Sequence, residues 1–321
     1  MPRPAVDVVV PFLGPPAGLD ELSGRLARLR LAAGDTLTIV DNRPDAPPRP
    51  APDAPPRPAP GESCVASAPR LQTPAFARNC GAARGTAPWL VFVDADTAVP
   101  EDLLDRYFDE APRPDTGLLA GEIIDESPAA RGENPGGRGE NPGARGENPG
   151  GRGEPPAARW ARLTASMGQD TTLRRGPWAF AQTANCAVRR EAFAAVGGFR
   201  EELRACEDAD LCYRLAASGW AIERRERACV GHISRDTMRA LLHQQLVHGA
   251  GIGWLEREYP GAAPARRWPG FLLWGLRSAG SGLAGALRSR DRDAATVALI
   301  DPLVAWTREL GRLRSNTRGA R

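Results

Sequence analysis

Apolar and polar positions along the chain switch between a period of two and a period near 3.6, and the switches predict the elements. Residues 6–10 form a Val-rich run closed by Pro11, which predicts a buried first strand leaving into a loop. Leu19, Leu22, Leu26 and Leu29 then fall on one helical face within 19–31, and Gly34 ends that helix. Residues 36–40 predict a second strand that delivers Asp41 and Asn42 at its C-terminal end, and a β-α-β order implies a parallel sheet. Val65 marks a short third strand, 75–84 a helix, and 89–93 a strongly apolar strand ending in Asp94-Ala95-Asp96. Farther on, 182–190 reads as a strand and turn, and Phe193 with Val196-Gly197-Gly198-Phe199 as a short helix with a glycine hinge. Leu211, Leu215 and a closing Gly219 make an amphipathic helix whose first turn is Glu207-Asp208-Ala209-Asp210. The fold class is α/β.

Two segments interrupt this pattern. APPRP occurs at 46–50 and again at 54–58, a polyproline spacer within an insertion at 44–60 that suits neither a sheet nor a helix interior. Residues 131–154 repeat RGENPGG, RGENPGA and RGENPGG before a decayed RGEPPAA. The seven-residue period has no apolar a or d position, so the repeat predicts a disordered or mobile loop that folding and ligand binding do not need. These insertions absorb part of the excess of Gly (35) and Pro (31) in a 321-residue chain.

Composition changes the picture in three places. All 42 basic side chains are Arg, the mark of a GC-rich, bacterial coding sequence, while the net charge of +3 is too small to argue for nucleic acid as a partner. The charge is uneven: from Gly261 onward eleven Arg face four acids, a local balance of +7. The six cysteines show no CxxC pair and no alternation with His, which suggests reduced thiols rather than a zinc site or a disulfide framework. No stretch approaches the ~20 apolar residues of a spanning helix, and a cytoplasmic protein is expected.

Asp94 and Asp96 lie two residues apart just past a buried strand. If the chain stays extended there, both carboxylates point to the same side and suit a hard cation, Mg2+ or Mn2+; acids in a solvated turn are the other reading. Asp41 reaches the same mouth of the sheet, where open α/β folds bind ligands, or serves as a turn residue ahead of Pro44. Glu207 and Asp208 either carry chemistry or complement the dipole of the helix they open.

In order along the chain stand the strand ending at Pro11, Asp41-Asn42, Ala77-Arg78-Asn79-Cys80-Gly81 with Arg84-Gly85, Val91-Phe92-Val93-Asp94-Ala95-Asp96, and Gly197-Gly198-Phe199 with Glu207-Asp208. This series resembles the family-2 glycosyltransferases over roughly 5–260. The resemblance implies a GT-A fold, a single Rossmann-like domain around a mostly parallel sheet, followed here by a basic helical region at 261–321. It implies metal-dependent, inverting transfer of a sugar from a nucleotide-diphosphate sugar to a hydroxyl acceptor, in the making of a glycan, a glycolipid or a glycosylated metabolite. Pro11, Asp41, Arg78, Asn79 and Asp94 would bind the donor, with Asp41 at the base and Asp94 at the ribose. Asp96 and Asp94 would hold Mn2+ or Mg2+, with His232 either a further ligand or a plain core or surface histidine. Asp208 would be the general base, with Glu207 and Asn185 on the acceptor side.

Processive members carry Gln-x-x-Arg-Trp, whereas here the stretch is Gln245-Leu246-Val247-His248-Gly249, so transfer of a single sugar is expected. A nucleotidyltransferase of related fold would open with a basic, Gly-rich loop, which Pro11-Phe12-Leu13-Gly14-Pro15-Pro16 is not; a non-catalytic sugar-nucleotide-binding protein would be free to lose one of the two acidic sites. Phe271, Leu272, Leu273, Trp274 and Leu276 among surplus Arg predict a C-terminal helix that docks on an anionic membrane or packs on the catalytic domain or a partner subunit. The sequence leaves the oligomeric state open.

Overall fold

A computed structural model describes residues 3–47, 63–126 and 153–318. The RGENPGG repeats and most of the polyproline spacer lie outside the described residues. Along the chain run β1 (Val6–Phe12), α1 (Pro16–Leu26), β2 (Thr36–Asp41), β3 (Ser63–Ser67), α2 (Pro74–Ala82), β4 (Trp89–Val93), β5 (Thr97–Ala98), α3 (Leu103–Tyr107) and β6 (Thr116–Glu126). After them come α4 (Pro156–Thr164), α5 (Gln169–Leu173), β7 (Asn185–Arg189), α6 (Arg190–Ala195), α7 (Glu207–Ala217), β8 (Ala221–Ile233), α8 (Met238–Glu258), α9 (Trp268–Ser289) and α10 (Arg292–Gly311).

The strands form one eight-stranded sheet in the order β3-β2-β1-β4-β7-β6-β8-β5. β3, β2, β1 and β4 pair in parallel, β7 is antiparallel to both β4 and β6, and β8 is parallel to β6. The double reversal through β7 leaves β1, β2, β4, β6 and β8 all pointing the same way. Their C-terminal ends, with Phe12, Asp41, Val93, Glu126 and Ile233, therefore open on one edge of the sheet.

The strands read as continuous apolar runs because both faces are covered. Val8, Val10, Val91 and Val93 pack on the α1 side against Leu19, Leu22 and Leu26, while Val9, Leu90 and Phe92 pack on the α2 and α7 side with Phe76, Phe193 and Leu211. Phe92 has no exposed surface and touches Phe193 and Phe199 at ring centroids of 5.8 and 5.3 Å. Truncating such a side chain to Ala costs about 3–5 kcal/mol.

Several boundaries differ from the sequence pattern for identifiable reasons. β1 runs through Pro11 to Phe12; its pairing with β4 stops at Val9, so the missing proline N–H falls where β1 keeps only β2 as a partner. α1 ends at Leu26, and Leu29 is buried from a turn rather than a helix. The turn back is made by Gly34 at φ +101° and by Asp35, whose carboxylate accepts from Ala32 N at 2.7 Å and Val6 N at 2.9 Å. Among the described residues no cysteine is in a disulfide.

The C-terminal helices fold back onto the sheet domain. α10 packs on α8, α9 and α4, and Trp160 Nε1 donates to Asp301 at 2.7 Å. Beyond α10, Asn316 Nδ2 donates to Ala205 O at 2.9 Å, and Leu203 and Thr317 form a β-bridge, which ties the end of the described chain to the loop before α7. Among the described residues no helix is long and apolar enough to cross a membrane.

Candidate active site

The acidic turn after β4 is not extended. Thr97 donates to Asp94 O through both its N–H, at 3.2 Å, and its hydroxyl, at 2.7 Å, so the chain reverses and the shared-side geometry expected of Asp94 and Asp96 does not arise. Arg25 of α1 fastens the turn from behind by donating to Ala95 O at 2.7 Å and Thr97 O at 3.1 Å. The two carboxylates consequently look to different partners.

Asp94 accepts from Arg78 Nη2 at 2.6 Å, and the other terminal nitrogen of Arg78 reaches Glu207 at 2.7 Å. Arg78 is 3% exposed; burial opposes its charge, yet Asp94 and Glu207 together raise its pKa above the ordinary arginine value. One guanidinium from α2 thus joins the mouth of β4 to the first turn of α7, across 129 residues of sequence. Its ring neighbour is Phe199, 5.8 Å away.

Asp208 sits beside that pair. Its carboxylate accepts from Ala209 N at 2.7 Å, and Cys206 ahead of it takes the left-handed conformation at φ 62° to turn the chain into α7. Burial and the neighbouring charge of Glu207 push the Asp208 carboxyl up to about 7, against the pull of Ala209 N–H and Arg78. A carboxylate poised near neutrality is suited to accepting a proton.

Asp96 looks instead toward β8, with its carboxylate 3.7 Å from His232 Nε2 and 3.3 Å from Arg235. The opposite ring nitrogen of His232, Nδ1, lies 3.2 Å from Asp125, which also accepts from Ser234 Oγ and Met167 N. Burial works against a charged His232, but Asp125 and Asp96 outweigh it and hold its pKa above the ordinary value. A histidine backed by a carboxylate on Nδ1 presents Nε2 as a metal ligand. With Asp96 it gives one oxygen and one nitrogen donor, which fits Mn2+ or Mg2+, cations that take one or two protein ligands and complete their shell with substrate phosphates. Among the described residues no group of three His, Cys, Asp or Glu forms a ready cage, and Asp94 gives its Oδ1 to Arg78.

Other expected site residues serve the scaffold. Asn185 is fully buried: Tyr107 donates to its Oδ1 at 2.7 Å and its Nδ2 donates to Glu122 O of β6 and Ala228 O of β8, so it ties β7 to both of those strands and its amide is engaged within the scaffold. Asn79 uses both ends of its amide on the backbone of Phe199, at 3.0 and 2.9 Å, and shapes the site through the Gly197-Gly198 hinge, whose glycines have φ of +74° and +71°. Asp41 reaches the right edge but is buried beneath Arg43, which clasps it at 2.8 and 2.7 Å. Glu207 acts on Arg78, and Pro11 is a partly exposed strand residue at the same edge.

Asp125, Arg25 and Arg235 carry no motif and were not foreseen, because each acts on a residue brought near only by the sheet. Arg84-Gly85 has a packing role: a Cβ at Gly85 would lie 2.1 Å from the Asp7 carboxylate, which accepts from Ala87 N and Arg190.

Residues 8–197 match the family described as glycosyl transferase family 2. The chain is 27% identical over 287 residues to the pre-mycofactocin glycosyltransferase of Mycobacterium tuberculosis, in two strains, with 87% of this chain and 53% of that protein aligned. It spans about half the length of these curated relatives. Among solved structures, the mannosyltransferase PcManGT from Pyrobaculum calidifontis, in complex with GDP-Man and Mn2+, superposes with a TM-score of 0.55 at 16% identity, covering 97% of this chain and 85% of that one. With the matched region spanning β1 to the glycine hinge, the chain belongs to glycosyl transferase family 2 and has the GT-A fold.

Proposed function

We propose that the chain transfers a single sugar, with inversion, from a nucleotide-diphosphate sugar to a hydroxyl acceptor at the edge formed by β1, β2, β4, β6 and β8. The observation that carries the reading is Arg78, whose one buried guanidinium holds donor-side Asp94 and acceptor-side Glu207 in fixed register. The nucleobase end of the donor displaces Arg43 from Asp41, and Asp94 orients the ribose. A divalent cation held by Asp96 and His232 would neutralise the charge that gathers on the departing diphosphate.

The remaining work falls to side chains of α2 and α7. Asp208 takes the proton of the acceptor hydroxyl as its oxygen forms a bond to C1, while the C1–O bond to phosphate breaks and its electron pair leaves with the nucleoside diphosphate. Attack opposite the leaving group inverts the anomeric centre, and no covalent sugar–enzyme intermediate is needed. Glu207 cannot compete for the proton while it is bound to Arg78, but its charge keeps Asp208 basic. The hydrogen-bonded frame sets the spacing of donor and base before either substrate arrives.

Thermal unfolding of the protein against a panel of nucleotide sugars, with and without Mn2+, tests this reading, because a ligand that binds only the folded chain raises its melting temperature. At least one nucleotide sugar should stabilise the protein in a Mn2+-dependent way. No stabilisation by any member of the panel would refute it.

A further inference from the structure

Four arginines, Arg175, Arg266, Arg308 and Arg312, line a cavity of about 250 Å3 between α8, the connection after it, and α10, and Phe271 and Ile252 supply an apolar wall. The lining acid, Glu309, is already engaged: it accepts from Arg312 at 3.1 Å and from the Arg266 N–H at 3.2 Å. Among the described residues Arg175, Arg266 and Arg308 make no ion pair. Arg175 donates to Ala262 O at 3.0 Å, Arg308 to Gln245 Oε1 at 2.9 and 2.5 Å, and Arg266 lies over the Phe271 and Trp274 rings at 4.8 and 5.7 Å. Burial, and the like charge of Arg266, disfavour the charged form of Arg308. Four arginines around one acid, itself already paired, leave an excess of positive charge at this opening, and an oxyanion entering it would take charge-assisted hydrogen bonds, with the largest relief at Arg308, which is largely withdrawn from water.

The cavity adjoins the catalytic turn. Arg308 and Arg175 both act electrostatically on Cys206, the residue ahead of Glu207 and Asp208. α8 approaches this turn closely because it carries glycines there: a Cβ at Gly251 would lie 2.6 Å from Cys206 Sγ, and one at Gly249 would meet Arg308 O of α10. Gln245 of α8 accepts from Arg308 and holds it in place.

We propose that this cavity is an oxyanion subsite that receives a phosphate or carboxylate of the acceptor and leads its hydroxyl to Asp208. The acceptor assignment rests on the transfer reading above; the binding of an oxyanion does not. The test is thermal unfolding of the full chain titrated with inorganic phosphate, and separately with acetate, against chloride at matched ionic strength and with EDTA present. Arg175→Gln, Arg266→Gln and, as a control remote from the cavity, Arg277→Gln are compared; all three side chains belong to exposed residues, so the variants should fold. The wild type and Arg277→Gln should show saturable stabilisation by phosphate, by acetate or by both, and whichever responds names the group. Each cavity variant should weaken that apparent affinity about tenfold or more. No stabilisation of the wild type by either anion, or equal stabilisation of the cavity variants, would overturn the proposal. The two readings fail separately: oxyanion binding in a protein that binds no nucleotide sugar would sink the transfer reading and leave the subsite, and the reverse result would sink only the subsite.

Discussion

Replacing Asp208 by Asn removes a charge that the fold holds at a cost, and the effect should depend on pH. Burial and Glu207 raise the Asp208 carboxyl from 3.8 to about 7. A carboxyl whose folded pKa lies above its unfolded value binds protons more tightly in the native state. Its ionisation therefore erodes stability as pH rises from about 4 to about 7, and the penalty is complete above that window. Three units at ~1.4 kcal/mol each set a ceiling of roughly 4 kcal/mol. Residual solvent contact at this partly exposed side chain, and charge shared with Glu207, bring the expected penalty to on the order of 1–2 kcal/mol. The Asn variant should thus melt a few degrees above the wild type at pH 8, at roughly 2–4 °C per kcal/mol, and match it near pH 4. The gain in stability should accompany a fall in single-turnover transfer of about 10²–10⁴, the span usual for a general base, with donor affinity unchanged. In the wild type, kcat/KM should rise with pH through an apparent pKa near 7. Paired melting curves at pH 5 and pH 8 with single-turnover rates decide the matter. An Asn variant less stable than wild type at pH 8 would show that Asp208 supports the helix instead, and normal transfer would remove it as the base.

Asp125→Asn withdraws the carboxylate behind His232, so Mn2+-dependent nucleotide binding should weaken about 10–100-fold while metal-free binding stays the same; calorimetric titration separates the two. Gly85→Ala drives a methyl group into the Asp7 carboxylate and should lower stability by about 1–3 kcal/mol in urea unfolding, with no change in m-value. Leu272, Leu273, Trp274 and Leu276 are exposed on α9 amid surplus Arg, and the protein should bind anionic vesicles more tightly than neutral ones at low salt; equal partitioning in a flotation assay would remove the electrostatic part.

The residues that were legible in the sequence are those whose signal is local. β4 could be bounded to the residue because its five positions are apolar on both faces, and Glu207-Asp208 could be placed on the first turn of a helix because Leu211 and Leu215 repeat behind them. Roles were harder to read than positions. Asn79 and Asn185 lie where a pocket residue would, yet their amides are engaged by partners far away in the sequence, Phe199 for one and Tyr107, Glu122 and Ala228 for the other, a demand no spacing reveals. The sequence leaves the acidic run after β4 open between an extended end and a turn, and the Thr97 side chain and Arg25 of α1 decide for the turn. That the charge of Asp208 is held at a cost shows only in the packing around α7. The C-terminal helix after Trp268 was foreseen, but its tie through Asn316 to the loop before α7 was not.

The most direct test of the mechanism follows the anomeric configuration of the sugar set free when water replaces the acceptor. A nucleotide sugar that stabilises the protein with Mn2+ is incubated with enzyme, and the first product is read by proton NMR before mutarotation. Attack by a hydroxyl activated at Asp208 in one displacement predicts a product of configuration opposite to the donor, formed by the wild type and strongly slowed in Asp208→Asn. A product that keeps the donor configuration, or release that is indifferent to Asp208, would contradict the account.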